Sequence, residues 1–351
     1  MTKIIKWKFK ELNKAFFKVE EDIPKLKENE VLVKVAGCGV CHTDISFWHH
    51  GVKTRKELPL TLGHEISGTV IDGDEKWKGK KVVIPAVLPC GECELCKNDR
   101  SNICQKQLMP GNDFDGGFAT HIVVPSKFLC EIPEDALNKS NLSLEQLAVI
   151  ADAVSTPYQV IKKSQLKSND FAIIIGAGGI GIYAVQIAKL FGANVLALDI
   201  SDEKLKNATI GGADEILNIS NLDLKTIKSH VKNISTKLGV SPYMWKIYEM
   251  SGTTAGQELA FNLITYASTL SIVGFTMDKL EIRLSNLMAF DASVIGTWGC
   301  KPELYPEIVK HVLDNKIRIT DFIEIHPLDE INEVFQNTLK HIYKKRIILK
   351  P

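Results

Sequence analysis

The chain has 351 residues, 45% hydrophobic and 24% charged, with a formal net charge of +1. That is ordinary globular composition with room for two cored domains, and it gives no basis for expecting nucleic acid or an anionic membrane as a partner. No apolar run reaches the roughly 18 residues a membrane span needs, and the start Met1-Thr2-Lys3-Ile4-Ile5-Lys6 lacks the apolar core of an export signal, so a cytoplasmic location is expected.

In chain order, Lys3, Lys6, Lys8 and Lys10 interleave with apolar residues, which predicts the solvated face of an N-terminal strand. Strands are expected at 31–35, 67–71, 81–85 and 118–125, punctuated by Gly and Pro as in an all-β unit whose loops carry the chemistry. Near Leu144 the character changes. Residues 144–154 are apolar at helical spacing, and Ser155-Thr156-Pro157 opens another helix. From Asp170, strands at 171–175, 194–198, 215–217, 245–248 and 269–273 alternate with helical segments at 180–190, 202–209, 224–238 and 256–265. That alternation predicts a doubly wound parallel sheet. A glycine turn at 296–299, a helix at 303–314 and an edge strand at 346–349 close the chain.

Gly176-Ala177-Gly178-Gly179-Ile180-Gly181 fits G-x-G-x-x-G between a strand and a helix, the context that gives this pattern meaning. Gly176 permits the tight turn, Gly178 lets a pyrophosphate approach the backbone, Gly181 allows close packing, and the helix start at Gly179 and Ile180 offers N–H groups to phosphate. Asp199 ends the next strand, where its charge favours a free ribose hydroxyl and so NAD over NADP; Lys204 is one turn further on.

Cys90, Cys93, Cys96 and Cys104 form C-x2-C-x2-C-x7-C, spacing that wraps four thiolates around one tetrahedral ion. Four cysteines leave no open position, so this lobe (about 88–106) is read as structural zinc, with Lys97, Arg100 and Lys106 offsetting its charge. A second group comprises Cys41, Thr43 and Asp44 in Gly37-Cys38-Gly39-Val40-Cys41-His42-Thr43-Asp44, His64 and Glu65 in Gly63-His64-Glu65, and Asp152. A thiolate, an imidazole and a carboxylate would hold a catalytic zinc with one exchangeable position and cancel its charge. Asp44 would orient His64, and Glu65 would approach the ion from behind. Spacing alone does not select Asp152 as third ligand, and Cys38 lies as close in sequence as Cys41.

These motifs, in this order and along essentially the whole chain, resemble the zinc-dependent alcohol dehydrogenases of the medium-chain dehydrogenase/reductase family. The resemblance implies an α/β protein. Its GroES-like β-rich catalytic domain would span 1–153 and 297–351, and a Rossmann doubly wound parallel sheet would span 154–296. It also implies two zinc ions per chain, NAD, and a homodimer or homotetramer. Cys41 and His64 match the family's catalytic zinc ligands, and Asp152 stands where that family usually has Cys. Thr43 matches the hydroxyl that takes the substrate proton, and His42 a pyrophosphate contact. Thr156 falls on the nicotinamide side, Gly274 is a further cofactor-binding candidate, and Arg346 matches a C-terminal arginine at the pyrophosphate. The family's relay often continues to a histidine where this chain has Ser46, leaving His49 or His50 as substitutes.

The stretches 48–52, 109–118, 274–278 and 286–291 resemble a subfamily that oxidises a cyclic allylic alcohol carried on a CoA thioester in anaerobic aromatic degradation. An acyl-CoA or alcohol substrate is therefore expected, with hydride entering a conjugated enone in the 1,4 sense, or a general alcohol or polyol dehydrogenase, as the alternatives. Phe47, Trp48, Phe114 and Trp298 are candidate walls for the ring, and Lys53, Arg55 and Lys56 candidate cations for CoA phosphates.

Overall fold

The computed structural model describes residues 3–351. One compact unit comprises the described chain up to Ser155 with Gly299–Asn315 and Ile319–Pro351; the other comprises Thr156–Trp298 and Lys316–Arg318. The short return of 316–318 to the second unit has a local cause. Arg318 N–H donates to Gln186 Oε1 (2.8 Å), and Gln186 Nε2 donates back to the Arg318 carbonyl (3.0 Å).

The first unit begins with β1 (Lys3–Phe9), β2 (Phe17–Asp22), β3 (Glu30–Gly39), β4 (Leu60–Thr61), β5 (Glu65–Gly73), β6 (Lys81–Ile84), β7 (His121–Pro125) and β8 (Cys130–Glu131). The second contributes β9 (Phe171–Ile175), β10 (Asn194–Asp199), β11 (Glu215–Asn218), β12 (Lys246–Glu249), β13 (Thr269–Ile272) and β14 (Ser293–Gly296). The chain then returns to the first through β15 (Ile323–Pro327) and β16 (Arg346–Lys350).

In the second unit the order is β11-β10-β9-β12-β13-β14, every pair parallel. β9 is buried at every position, as a central strand covered on both faces must be. In the first unit the order is β15-β16-β3-β5-β6-β8, with β7 also pairing β3. β3 is the axis of this sheet. Its pairing with β5 shifts register between Val35 and Gly37, an irregularity that falls just before Cys38 and Gly39 at the strand end. The strand at 346–349, expected at an edge, lies inside the sheet between β15 and β3. Its residues Arg346 to Leu349 are buried accordingly. The segment expected as a helix at 144–154 is a 3-10 helix, Leu144–Ala151, that ends before Asp152.

Of the N-terminal lysines, Lys3 and Lys10 are exposed as expected, but Lys6 and Lys8 are drawn into ion pairs. Lys6 Nζ lies 2.7 Å from Glu21 and 2.9 Å from Asp115, Lys8 Nζ 2.5 Å from Glu21, and Lys56 Nζ 2.9 Å from Asp115, with both N-terminal lysines largely buried. Burial pushes the Asp115 carboxyl up, but hydrogen bonds from Lys56 and Lys6 outweigh it and hold it at about 2. A carboxyl depressed on folding adds stability above its ordinary value of 3.8 and loses it as pH falls toward 2. Asp115→Asn should therefore cost about 2 kcal/mol at pH 7. Urea midpoints of the two proteins should converge as pH falls from 4 to 2; a gap unchanged over that range would refute the assignment.

Candidate active site and metal centres

The helix His42–Trp48 starts directly after Cys41, and its Asp44 is fully buried. The Asp44 carboxylate accepts from the Cys41 N–H (2.9 Å) and the Gly63 N–H (3.1 Å), so one side chain joins the helix start to the loop that delivers His64. His64 Nδ1 lies 3.4 Å from Asp44 and makes no hydrogen bond of ordinary geometry; Asp44 is its facing carboxylate. Nε2 faces Asp152 at 3.8 Å, and Cys41 Sγ lies 3.7 Å from the same carboxylate oxygen. Burial disfavours the imidazolium, yet the Asp44 charge and contacts with Asp152 raise the His64 pKa well above its usual value.

Asp152 sits where the 3-10 helix breaks (φ −141°, ψ −54°). Tyr305 OH and Ser155 Oγ both donate to the Ala151 carbonyl, at 2.5 and 3.1 Å, and fix that break. Tyr305 was not foreseen, since nothing in its local pattern points to a site more than 150 positions away. Candidate ligand atoms of Cys41, His64, Glu65 and Asp152 all lie within 4.8 Å of one another. Thr43 Oγ1 is 3.7 Å from Cys41 Sγ. Cys38 is turned away into the core, fully buried.

Glu65 and Arg346 meet at the base of this group. Arg346 Nε donates to Glu65 Oε2 at 3.0 Å, Nη2 bonds Oε1, and the Ala153 N–H donates to Oε1 at 3.1 Å. The carboxylate is completely buried; burial pushes it up, to about 7, against the opposing Arg346 charge. A Cβ on Gly39 would lie 2.1 Å from Glu65 Oε2, so only glycine admits this approach. The pyrophosphate role expected of Arg346 starts from a buried guanidinium whose Nε and Nη2 are already paired with Glu65. The expected approach of Glu65 to an ion starts from a carboxylate already holding three donors.

In the cysteine lobe the Sγ separations are 3.5 Å (Cys93–Cys96), 3.5 Å (Cys90–Cys104), 3.7 Å (Cys93–Cys104) and 4.0 Å (Cys90–Cys96). Thiolates about 2.3 Å from a tetrahedral ion stand about 3.8 Å apart, so the four match a zinc cage. All eight cysteines are free of disulfides. Hydrogen bonding from the Glu92 backbone lowers Cys90 to about 6, while burial and the neighbouring thiols push Cys96 up to about 12. Of the expected counter-charges, Lys106 pairs with Glu92 at 3.8 Å; Lys127, not anticipated, reaches the Cys90 carbonyl at 2.7 Å.

Several substrate-side expectations change. Phe47 and Trp48 belong to the core: Trp48 stacks on Phe16 and donates Nε1–H to the Lys14 carbonyl. Phe114 packs against that core, and Trp298, in the second unit, is half exposed. Arg55 and Lys56 are engaged by Asp113 (3.2 Å) and Asp115 (2.9 Å). Ser46 Oγ bonds the His42 carbonyl, His49 bonds Asn13, and His50 stacks edge-on against His49. The exposed His42 ring stacks near His341, 6.2 Å between centroids.

In the second unit the glycine turn joins β9 to the helix Gly181–Leu190. Gly176 adopts φ +88°, and a Cβ on Gly181 would lie 1.8 Å from the Gly176 carbonyl. Gly178, Gly179 and Ile180 are partly or fully exposed, and Lys204 Nζ approaches Gly178 from the following helix. Asp199 is nearly buried; it accepts from the Ala177 N–H (2.8 Å) and the Ser201 N–H (3.0 Å), anchoring the turn. Thr156 is buried in the first turn of the helix Ser155–Lys163, and the Gly274 N–H bonds the Glu249 carbonyl.

A GroES-like β unit carrying two metal-competent clusters, and a Rossmann unit with a phosphate-type glycine turn, define a zinc-binding dehydrogenase. Residues 27–134 match the alcohol dehydrogenase GroES-like domain and residues 179–314 the zinc-binding dehydrogenase domain. An alcohol dehydrogenase of Geobacillus stearothermophilus is 34% identical over 97% of each chain. The crystal structure of the alcohol dehydrogenase from the hyperthermophilic archaeon Aeropyrum pernix superposes with a TM-score of 0.85 at 30% identity, covering 99% of this chain and 100% of that one. Galactitol-1-phosphate dehydrogenase from Escherichia coli gives 0.86 at 26% identity over the full length of both. The chain belongs to the zinc-binding medium-chain alcohol dehydrogenase family and is a zinc-dependent oxidoreductase acting on CH–OH groups. No helix among the described residues is long and apolar enough to cross a membrane.

Proposed function

We propose that the chain oxidises a ring-borne secondary alcohol with NAD. The proposed substrate is 6-hydroxycyclohex-1-ene-1-carbonyl-CoA, converted to its 6-oxo product in benzoyl-CoA degradation. The convergence of Cys41, His64 and Asp152 beside Thr43 carries the dehydrogenase chemistry. Cys41, His64 and Asp152 would hold one zinc, and Cys90, Cys93, Cys96 and Cys104 a second that only braces the fold. The first would polarise the substrate hydroxyl and lower its pKa, and NAD would supply the hydride acceptor. Thr43 Oγ1 would relay the hydroxyl proton, accepting it as its own proton passes outward to solvent. Asp44 keeps the His64 ring turned so that Nε2 faces Cys41 and Asp152. Glu65, clamped by Arg346, fixes the backbone at Ala153 and with it the Asp152 carboxylate.

The acyl-CoA assignment rests on the stretches at 48–52, 109–118, 274–278 and 286–291. The engagement of Arg55 and Lys56 by aspartates favours the second reading, a general secondary alcohol or polyol dehydrogenase. NAD reduction measured side by side with cyclic hydroxy-acyl-CoA, simple secondary alcohols and polyols decides between them: acyl-CoA turnover at least tenfold above the rest supports the first, and equal or lower turnover overturns it. Assembly into dimers or tetramers belongs to the same proposal and is read by light scattering.

NAD is preferred to NADP on the strength of the Asp199 charge. Asp199→Asn keeps an acceptor for the turn but removes that charge, so the ratio of kcat/KM for NAD over NADP should fall by about tenfold or more. An unchanged ratio would remove Asp199 from cofactor selection.

A further inference from the structure

Glu249 is the last residue of β12 and completely buried. The strand order reverses direction between β9 and β12, and ligands of doubly wound sheets bind beyond the carboxyl ends of the strands at such a point. Its Oε1 accepts the Ser251 N–H (2.7 Å), the Ser251 hydroxyl (2.5 Å) and the Gly252 N–H (3.1 Å). Its main-chain carbonyl accepts the N–H groups of Val273 and Gly274, both at 3.1 Å. Oε2 has no hydrogen-bond partner. Burying a carboxyl with one oxygen unsatisfied costs stability.

Glycines enclose the carboxyl. A Cβ on Gly256 would lie 2.0 Å from Ser251 Oγ, and one on Gly274 would lie 2.2 Å from the Gly252 nitrogen and 2.7 Å from Oε2. A Cβ on Gly176 would lie 2.8 Å from Ser251 Cα, so the turn held by Glu249 also rests on the glycine-rich turn after β9. One buried side chain therefore ties the end of β12 to its own following turn and, through it, to the ends of β9 and β13.

We propose that Glu249 is a positioning residue for the nicotinamide half of the dinucleotide, acting by the reach of Oε1 to the Ser251–Gly252 turn and not by its charge. The inference rests on the dinucleotide reading above. β12 and β13 belong to the second mononucleotide half of the sheet, whereas Asp199 and the glycine turn serve the first. Displacement of the Ser251–Gly252 turn should thus weaken the nicotinamide half and spare the adenosine half.

The test compares Glu249→Gln, which keeps length and an accepting oxygen, with Glu249→Asp, which keeps charge but is one methylene short. NADH and ADP-ribose binding are titrated for each, with thermal unfolding as the check on folding. Glu249→Gln should bind NADH within about twofold of the wild type, and Glu249→Asp about tenfold more weakly, while ADP-ribose changes by less than about twofold in both. Ser251→Ala, which removes only the hydroxyl donor, serves if the aspartate variant does not fold, and should weaken NADH about threefold without affecting ADP-ribose. Equal weakening of both ligands, greater weakening by Gln than by Asp, or no change in any variant overturns the proposal. Failure of the wild type to bind either ligand overturns the dinucleotide reading instead.

Discussion

Arg346→Leu is expected to lower the unfolding free energy by about 3–5 kcal/mol, because it strands a buried carboxylate. Glu65 has no exposed surface, and two of its donors come from this one guanidinium. The third, the Ala153 N–H, is backbone and remains, but cannot neutralise a charge. The Glu65→Leu/Arg346→Leu double variant removes charge and countercharge together, so it should recover most of that loss. Urea unfolding of wild type, both single variants and the double measures the cycle. Additive losses would show that the two groups do not act as a pair. The catalytic cost should not recover with stability: the link from Glu65 to Ala153, one residue after Asp152, is gone in the double variant. A double variant that is stable but slow is therefore the expected signature of a pair kept for the active site.

The parts legible in the sequence are those whose chemistry is local. Cys90 to Cys104 closes a cage within fifteen positions, and the separations among its sulfurs match the tetrahedron their spacing implies. The turn from Gly176 to Gly181 is defined by the strand before it and the helix after it. Most of the parallel alternation from Asp170 onward was equally visible, since the central strands are continuously apolar; the short, largely exposed edge strand Ser293–Gly296 was not. What escaped depends on tertiary partners. For Arg346, nothing near it in sequence shows that its strand lies inside the sheet or that Glu65, 281 positions earlier, pairs with its guanidinium. Trp48 looked like a pocket wall because an aromatic beside a metal loop and an aromatic packed on Phe16 read alike in one dimension. Lys6 and Lys8 obeyed the alternation of a solvated strand, yet Glu21 and Asp115 draw them inward. Asp152 differs again. Its side-chain chemistry suited a metal, but what places it is a broken 3-10 helix pinned by Tyr305, and no periodicity encodes that break.

His64→Ala is expected to reduce kcat/KM by about a thousandfold or more, the several kcal/mol that polarisation of the substrate oxygen supplies. On the two-zinc reading proposed above, zinc should fall from two ions per chain to one. The fold should tolerate the change, because Asp44 retains its bonds to the Cys41 and Gly63 N–H groups whether or not the imidazole is present. Cys104→Ser should show the opposite pattern. It also leaves one ion, but it opens a cage whose binding energy is folding energy, so thermal stability should fall while turnover at low temperature persists. Metal analysis, thermal unfolding and steady-state rates on the two variants assign each ion to its task. A His64→Ala protein that keeps both ions and its rate would remove Cys41, His64 and Asp152 from the chemistry. If instead the variant keeps both ions but loses its rate, His64 acts on the substrate without holding metal. The carboxylate in the third position adds a finer test on the same assay. Asp152→Cys replaces an oxygen donor by a softer thiolate of equal charge, so zinc should be held at least as tightly while its exchange with cobalt becomes less favourable.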